Sequence, residues 1–588
     1  MADLSAPAGL SGPGGLSAPG GPSGPSVSSV PPVSLVDRLE RLVRERPQGN
    51  AVEDERVSLT FEEFWNVAHG LALELASSPP GSVMLSMDRS AEGVVAYWAA
   101  FLAGRRITPV SPSWPASRSA ALARSVGATC TLVASAVSGG RAGPSASVGA
   151  AGDAQTDVSL VLERFRRHAP PPEVRFDIAS EHADAYVLFT SGSTGRPKGV
   201  RISRSALTAY VQAAAQNAGL GPGDRVSHNV DYTFDPSIWD VFVTLSSGAT
   251  VCVPHQNERL RPVTFVNRAR LSHWCSVPSL IGLAERLRSL APAAMPTLRH
   301  SIFLGEALLR SDAELWRRAA PNSVLVNSYG PTEVTNACFE YQVGIDAEIP
   351  ETDNGTVPIG APYPGLDWGI LDAPGSDASE GELVVRGVQR LTSYLDVEDN
   401  ANRFAHWVPL ASPARTPGVQ AGAWRAGDSV ARSEESAAVP AELAYRTGDL
   451  VRITPAGLVH LGRVDRQVKV RGRRVEPAEV EHLLRGILGV SRVAVFAERR
   501  GMQTRLAAVV EVDTASEAMR GATREADDGG EFWRADPWQA APKPAELREL
   551  LPTHLTPARW VALSRFPINA RGKLDLEKIR GMAGVESS

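Results

Sequence analysis

A run of glycines and hydroxyls, Thr190-Ser191-Gly192-Ser193-Thr194-Gly195-Arg196-Pro197-Lys198-Gly199, directly follows the apolar stretch Ala185-Tyr186-Val187-Leu188-Phe189. Glycines let backbone N–H groups come close to a polyphosphate, and the hydroxyls of Thr190, Ser191, Ser193 and Thr194 add donors. Lys198 adds a point charge. A Walker loop needs Gly immediately before its Lys and a hydroxyl immediately after it. Here Pro197 precedes Lys198 and Gly199 follows, which excludes a P-loop ATPase. On these residues alone, a plain turn and a phosphate cradle both stay open.

The remaining chemistry-bearing residues exclude several classes. Cys130, Cys252, Cys275 and Cys338 are scattered, with no CxxC pair and no His at zinc-ligand spacing, as expected of buried reduced thiols. The chain of 588 residues is 43% hydrophobic and 21% charged, ordinary usage for a protein with a large core. Its net charge of -5 and the lack of a long basic stripe argue against a nucleic-acid partner. No run reaches the roughly 18 apolar residues of a membrane span. No basic segment followed by an apolar core marks a signal peptide. The expectation is a cytoplasmic enzyme with no membrane or nucleic-acid partner.

The elements that must hold the loop alternate. Short apolar runs at 185–189, 251–253, 301–304 and 324–326 read as strands, and 205–218 reads as a helix. Such alternation predicts an α/β fold with layered sheets covered by helices. Residues 1–33 are almost entirely Ala, Gly, Pro, Ser and Leu, a composition expected to be disordered. Helical spacing begins with Leu35, Leu39 and Leu42. Three stretches read as mobile surface insertions: 138–156, 410–440, and the polar, acidic 514–544 with Trp533 and Trp538 as bulky anchors. From about Val464 the pattern becomes a small α+β unit, with Val468, Val470 and Val475, a helix over 479–488, and strands over 493–496 and 506–510. The expected organisation is a tail over 1–33, a core domain over 34–464 and a mobile C-terminal domain over 465–588.

The stretch YVLFTSGSTGRPKGV resembles the phosphate-binding motif of the adenylate-forming superfamily, which contains nonribosomal peptide adenylation domains, acyl-CoA ligases and luciferases. The resemblance continues in order. It runs through Leu59-Thr60-Phe61, Val110-Ser111-Pro112-Ser113-Trp114-Pro115 and Phe234-Asp235-Pro236-Ser237-Ile238-Trp239-Asp240. Next come Asn327-Ser328-Tyr329-Gly330-Pro331-Thr332-Glu333, Gly381-Glu382-Leu383 through Tyr394-Leu395, and Tyr445-Arg446-Thr447-Gly448-Asp449-Leu450. It ends with Gly462-Arg463-Val464-Asp465-Arg466-Gln467-Val468-Lys469 and 569–575. It covers nearly everything after about Leu35. The fold it implies is a large N-terminal α/β domain with layered sheets and a small α+β C-terminal domain that rotates about Asp465.

The resemblance also implies roles. Lys573 approaches both the α-phosphate of ATP and the substrate carboxylate, and is the catalytic residue. Glu333 is the Mg2+ ligand, a hard oxygen donor. Thr190, Ser191, Gly192, Ser193, Thr194, Gly195, Lys198, Asn327, Ser328, Tyr329, Thr332, Asp449 and Arg463 form the ATP site. In it Tyr329 lies against adenine and Asp449 accepts from the ribose hydroxyls. Lys469 and Gly472 line the pantetheine tunnel. One departure is His460, where relatives often place an aromatic residue before the Gly-Arg pair.

Asp235 separates the subfamilies. In amino-acid-activating relatives it pairs with the substrate ammonium, and a buried carboxylate favours such a cation; an Asp capping a helix at Pro236 is the alternative. The implied pocket is Asp235, Pro236, Trp239, Ser276, Ile302, Leu304, Ser328, Asn336 and Ala337. No wall position carries a charge that could pair with a charged side chain, and Trp239, Ile302 and Leu304 shorten it. These features point to a small or medium neutral amino acid, with alanine, glycine and serine first. The surroundings of Leu304 and Ser328 are also similar to stand-alone D-alanine–carrier protein ligases, so chirality and a β-amino acid stay open. No carrier or condensation motif is present, so the expected partner is a separate phosphopantetheine carrier protein loaded in trans. An acyl-CoA or aryl-acid ligase, or a non-catalytic relative acting as a binding partner, are the competing readings.

Overall fold

The computed structural model describes residues 34–134, 154–166, 180–191, 196–372, 379–408, 423–426, 439–500, 503–514, 519, 521–527, 530–538, 540–543, 546–547, 550–568 and 574–586. The expected tail over 1–33 lies outside them. The first described element is the helix Leu35–Glu45, where the Ser34 hydroxyl accepts from the Val36 amide, and Leu35, Leu39 and Leu42 are buried.

Two large sheets carry the first two-thirds of the chain. One has nine strands in the spatial order Ala361–Pro362, Phe339–Val343, Val324–Tyr329, His300–Phe303, His273–Ser276, Arg225–Ser227, Thr250–Cys252, Asn50–Glu53 and Ser58–Thr60. Its central strands run parallel and its two edges antiparallel. The other has six strands, parallel except for the antiparallel pair Asp184–Thr190 and Lys198–Ser203, between which the glycine-rich sequence lies. The helix Ala91–Leu102 touches strands of both sheets and is buried on every side. Its sequence shows no polar face, as a helix enclosed all round requires. Tyr97, Trp98 and Phe101 meet Phe242 there. The helix Phe61–Ala76 is fixed by a capping box: Thr60 Oγ1 accepts from the Glu63 amide, and the Glu63 carboxylate from the Thr60 amide.

An antiparallel sheet built on Leu366–Asp372, Glu380–Gly387, Ala444–Thr454 and Gly457–Arg463 follows. After Asp465 come the short hairpin of Val468–Val470 with Arg473–Val475, the helix Pro477–Leu488 and a separate five-stranded sheet. Hydrophobic clusters before Val459 and after Val468 share no residue among those described.

The insertions need correction where they are described. Residues 138–153 of the first lie outside the described residues, but its end falls in the strand Ala154–Asp157, parallel to Ala128–Val133. The second contains the strand Ala423–Ala426, paired with Phe404–Val408. The third supplies Thr523–Asp527 and Gly530–Ala535, which extend the last sheet. Its anchors also differ, since Phe532 and Trp538 are buried and Trp533 is exposed. A polar strand at a sheet edge needs one apolar face only, so composition alone hid it.

Trp316 shows how tightly the helices grip the nine-stranded sheet. It is fully buried, its indole N–H donates to Ser301 Oγ at 2.8 Å, and it packs on Trp274 and Phe303. Trp316→Ala is expected to destabilise the protein by about 3–5 kcal/mol, read as a lowered denaturation midpoint. A midpoint equal to the wild type's would contradict this packing account.

Candidate active site

The parallel strands of the large sheet end together, and open α/β sheets bind ligands at such carboxyl ends. Ser276 closes His273–Ser276, Leu304 and Gly305 follow His300–Phe303, and Asn327, Ser328 and Tyr329 close Val324–Tyr329. The turn after Tyr329 is strained. Thr335 and Asn336 have φ of 54° and 68°, and a Cβ on Gly330 would sit 2.5 Å from the Asn336 carbonyl oxygen. Gly330 therefore lets this turn fold back and brings Asn336 to the site.

Asp235 follows the loop after Arg225–Ser227. It stands at the start of the short helix Pro236–Ile238 but makes no capping hydrogen bond, so capping does not explain it. Burial pushes its carboxyl up to about 6, against a hydrogen bond from Thr332 and the charge of Lys469. Behind it, His228 Nδ1 lies 2.9 Å from Asp240 Oδ2, with both side chains fully buried. Burial raises the Asp240 carboxyl, opposed by His228. This pair ties the Asp235 segment to its strand.

Asp235, Pro236, Leu304 and Asn336 line one small cavity of about 40 Å³, whose wall also includes Thr332, Asp449, Arg463, Lys469, Gly472 and Arg474. Trp239, Ser276, Ile302, Ser328 and Ala337 are buried outside its lining. The Ser276 hydroxyl accepts from the Trp274 indole and the Ser328 hydroxyl donates to Glu340. Asn336 Nδ2 donates to the Tyr210 hydroxyl, and its buried Oδ1 has no partner.

Asp449 sits where this cavity meets a larger cleft of about 640 Å³. It accepts from the Tyr329 hydroxyl at 2.6 Å and from Arg463 Nη1 at 2.8 Å, with His460 Nε2 3.2 Å away. Burial opposes its charge, but Arg463 and His460 outweigh it and hold the carboxyl well below the usual range. His460, read from the sequence as a missing aromatic, thus braces Asp449 and also faces the Tyr329 ring. Arg463 reaches on to Asp465 with two further hydrogen bonds. Asn327 donates both amide protons to the backbone oxygens of Val357 and Pro358, which fixes that loop.

Glu333 is fully buried. Arg474 Nη1 lies 2.8 Å from each of its oxygens, and the Tyr394 hydroxyl donates to Oε1 at 2.6 Å. Burial works against its charge, yet Arg474 and Tyr394 hold it at about 2. An ionised buried carboxylate suits Mg2+, which takes one or two protein carboxylates and otherwise water and phosphate oxygens. The described residues contain no group of three His, Cys, Asp or Glu side chains able to hold a metal ion.

The glycine-rich loop is described only at its ends. Gly192, Ser193, Thr194 and Gly195 lie outside the described residues, as does Lys573. Thr190 Oγ1 is buried without a partner, and Ser191 Oγ donates to the Arg474 carbonyl at 2.9 Å. Lys198 is buried and paired with Asp399 at 3.2 Å, and it lines neither cavity. Lys469 is half-buried; removal from water lowers its pKa against the pull of Asp449 and Asp235. Gly472 has φ of 77°, and a Cβ there would sit 2.2 Å from the Val277 side chain.

Sequence reasoning missed Arg474, Tyr394 and Glu306, the last of which accepts from the Gly472 amide at 2.6 Å and the Ser279 amide at 2.9 Å. The available signal was the cationic run Arg466, Lys469, Arg471, Arg473 and Arg474 in a chain of net charge -5.

Comparison with known proteins now gives this site a family. Residues 39–395 match the model of the AMP-binding enzymes. The isonitrile lipopeptide synthase of Streptomyces coeruleorubidus is 31% identical over 91% of this chain and 32% of its own length. The crystal structure of IdnL7 is similar over 93% of this chain and 98% of that one, at 30% identity and a TM-score of 0.58. The nonribosomal peptide synthetase FmoA3, solved in its alpha-methyl-L-serine-AMP bound form, matches 75% of this chain and 46% of that one, at 27% identity and a TM-score of 0.59. The chain belongs to the AMP-binding enzyme family, within the nonribosomal peptide synthetase type of adenylation enzyme. It spans between 3% and 44% of the length of such curated relatives. No described helix is long and apolar enough to cross a membrane.

The His228–Asp240 support can be tested directly. Asp240→Leu leaves a buried imidazole facing no acceptor and should cost about 1–3 kcal/mol, while Asp240→Asn keeps an acceptor and should cost less. Equal denaturation midpoints for the two variants would show that the hydrogen bond is not the support.

Proposed function

We propose that this chain activates a small or medium neutral amino acid with ATP as its aminoacyl-AMP, and then passes the acyl group to the phosphopantetheine thiol of a separate carrier protein. The observation that carries the reading is Asp235. It is a buried carboxylate at a cavity wall, it caps no helix, and it forms no ion pair among the described residues. A cationic ligand relieves that burial, and the ammonium of an amino acid is one. A plain carboxylic acid would leave Asp235 unmatched. The aminoacyl-AMP held by FmoA3 supports the same class of product. The small volume beside Asp235 supports a short side chain.

In this reading the substrate carboxylate meets the α-phosphate, anion against anion, and Lys573 neutralises the charge that builds between them. Glu333 would hold Mg2+, which supplies charge neutralisation on the ATP phosphates when bound. Tyr329 lies against adenine, Asp449 accepts from ribose, and Thr190 and Ser191 donate to phosphate oxygens. The separate hydrophobic clusters before and after Asp465 support a division into a core over 34–464 and a C-terminal domain over 465–588, pivoting at Asp465.

Pyrophosphate exchange across the proteinogenic amino acids, D-alanine, common β-amino acids and a set of amine-free carboxylic acids tests the proposal. Exchange with a small neutral amino acid is expected, and exchange driven by an amine-free acid instead would overturn it. Burial holds the Asp235 carboxyl near 6, and only its ionised form attracts an ammonium. The amino-acid KM should therefore rise about tenfold per unit as pH falls below that value. Asp235→Asn should flatten the profile; a wild-type KM independent of pH between 5 and 7 would remove Asp235 from substrate binding. Two unit charges about 4 Å apart at an effective dielectric of about 20 interact by about 4 kcal/mol, or roughly three decades in rate. Lys573→Ala should lose adenylate formation by about that factor and spare thioester formation from supplied adenylate. Equal loss of both half-reactions would refute its assignment.

A further inference from the structure

Asn336 is fixed from several sides. Its backbone has φ of 68°, a conformation that Asn tolerates better than most side chains, and the close approach of Gly330 shuts the turn behind it. Its side chain is buried, and Nδ2 donates to the Tyr210 hydroxyl at 2.6 Å. Tyr210 is itself fully buried and stacks on the Tyr363 ring, 6.2 Å away. The amide is therefore held with one end spent and the other open, since the buried Oδ1 has no partner. An Asn oxygen can accept two hydrogen bonds, and a buried acceptor that makes none is costly. The hydroxyls on neighbouring parts of the chain are committed elsewhere. Thr332, which lines the same cavity, hydrogen-bonds Asp235, while Ser328 and Tyr363 both donate to Glu340 Oε2, at 3.4 and 2.8 Å.

We propose that the amino acid activated here carries a short side-chain hydroxyl that donates to Asn336 Oδ1, so that Asn336 separates a hydroxy amino acid from its hydrocarbon isostere. The inference rests on the adenylation reading above and narrows it. Asp235 already gives the cavity a charged acceptor for the ammonium, and Asn336 is a second, neutral acceptor lining the same cavity. A neutral acceptor suits a neutral donor. The cavity of about 40 Å³ has room for little more than a short side chain, and a side chain that fills it leaves no water there to serve Oδ1. The donor must then come from the substrate. A methyl group in place of the hydroxyl would bury the oxygen unpaired, and sites built on a buried hydrogen bond reject such analogues strongly. A site for a purely apolar side chain would need no amide at this position.

The test is amino-acid-dependent pyrophosphate exchange by the full chain with isosteric pairs, serine against 2-aminobutyrate and threonine against valine. The wild type should favour the hydroxy member of at least one pair by about tenfold or more in kcat/KM. Asn336→Gly suits the left-handed backbone and removes the amide, so that ratio should fall toward one. Tyr210→Phe takes the partner from Nδ2 and lets the amide turn, so the ratio should fall there as well, though by less. Wild-type ratios near one in both pairs, or an Asn336→Gly ratio equal to the wild type's, overturn the proposal. A preference for O-methylserine over serine also overturns it, because the amide would then be presenting its N–H. If Asn336→Gly does not turn over, Tyr210→Phe decides, and an unchanged ratio there overturns the proposal. If no amino acid supports exchange, the adenylation reading fails and this inference with it. If amino acids do support exchange and the hydrocarbon members are used as well as the hydroxy ones, this inference alone fails.

Discussion

Three buried carboxylates set the terms for the rest of the site. Asp235, Glu333 and Asp449 all come from the chain before 450, and all are removed from water. A buried carboxylate is tolerated only with a cation or several hydrogen bonds. The cations come from one short segment further on: Arg463 reaches Asp449, Arg474 reaches Glu333, and Lys469 acts on both Asp449 and Asp235. The chain before 450 therefore presents the negative charge, and the segment after it supplies the positive charge. This division explains why the site is assembled from parts of the chain far apart in sequence.

The three carboxylates are not treated equally. Asp449 and Glu333 are held by guanidinium groups at hydrogen-bond distance, and both stay well below the ordinary carboxylate range. Asp235 has a hydroxyl, its own backbone N–H and a more distant ammonium, and burial still raises it to about 6. Of the three, it is the one left short of a cation. That imbalance is the physical content of the proposed amino-acid specificity, since the missing charge is the one an α- or β-amine carries. The His228–Asp240 pair keeps the segment bearing Asp235 from relaxing toward solvent.

Much of this was legible in the sequence, and the reasons for the rest are specific. The loop, Asp235, Glu333, Tyr329 and Asp449 were reached through motifs that resemble those of the adenylate-forming superfamily in the same order along the chain. The strands were legible where an apolar run is buried on both faces, as in Asp184–Thr190. Strands inside the polar insertions were hidden because an edge strand needs neighbours, not composition, to exist. Arg474 was hidden for a related reason, its partner being 141 residues away along the chain. Periodicity says which face of a strand is buried, but nothing about which distant carboxylate will meet its one charged side chain.

Arg463 links this charge balance to the proposed pivot. Its guanidinium bonds Asp449 on the side proposed for the nucleotide and Asp465 on the other, so the proposed site and the proposed pivot share one cation. A rotation about Asp465 that keeps Arg463 on Asp449 leaves the adenosine end of the site intact. Arg474, Lys469 and Gly472 lie beyond the pivot and would move with the later residues. The phosphate end would then change its cations while the nucleoside end keeps its own.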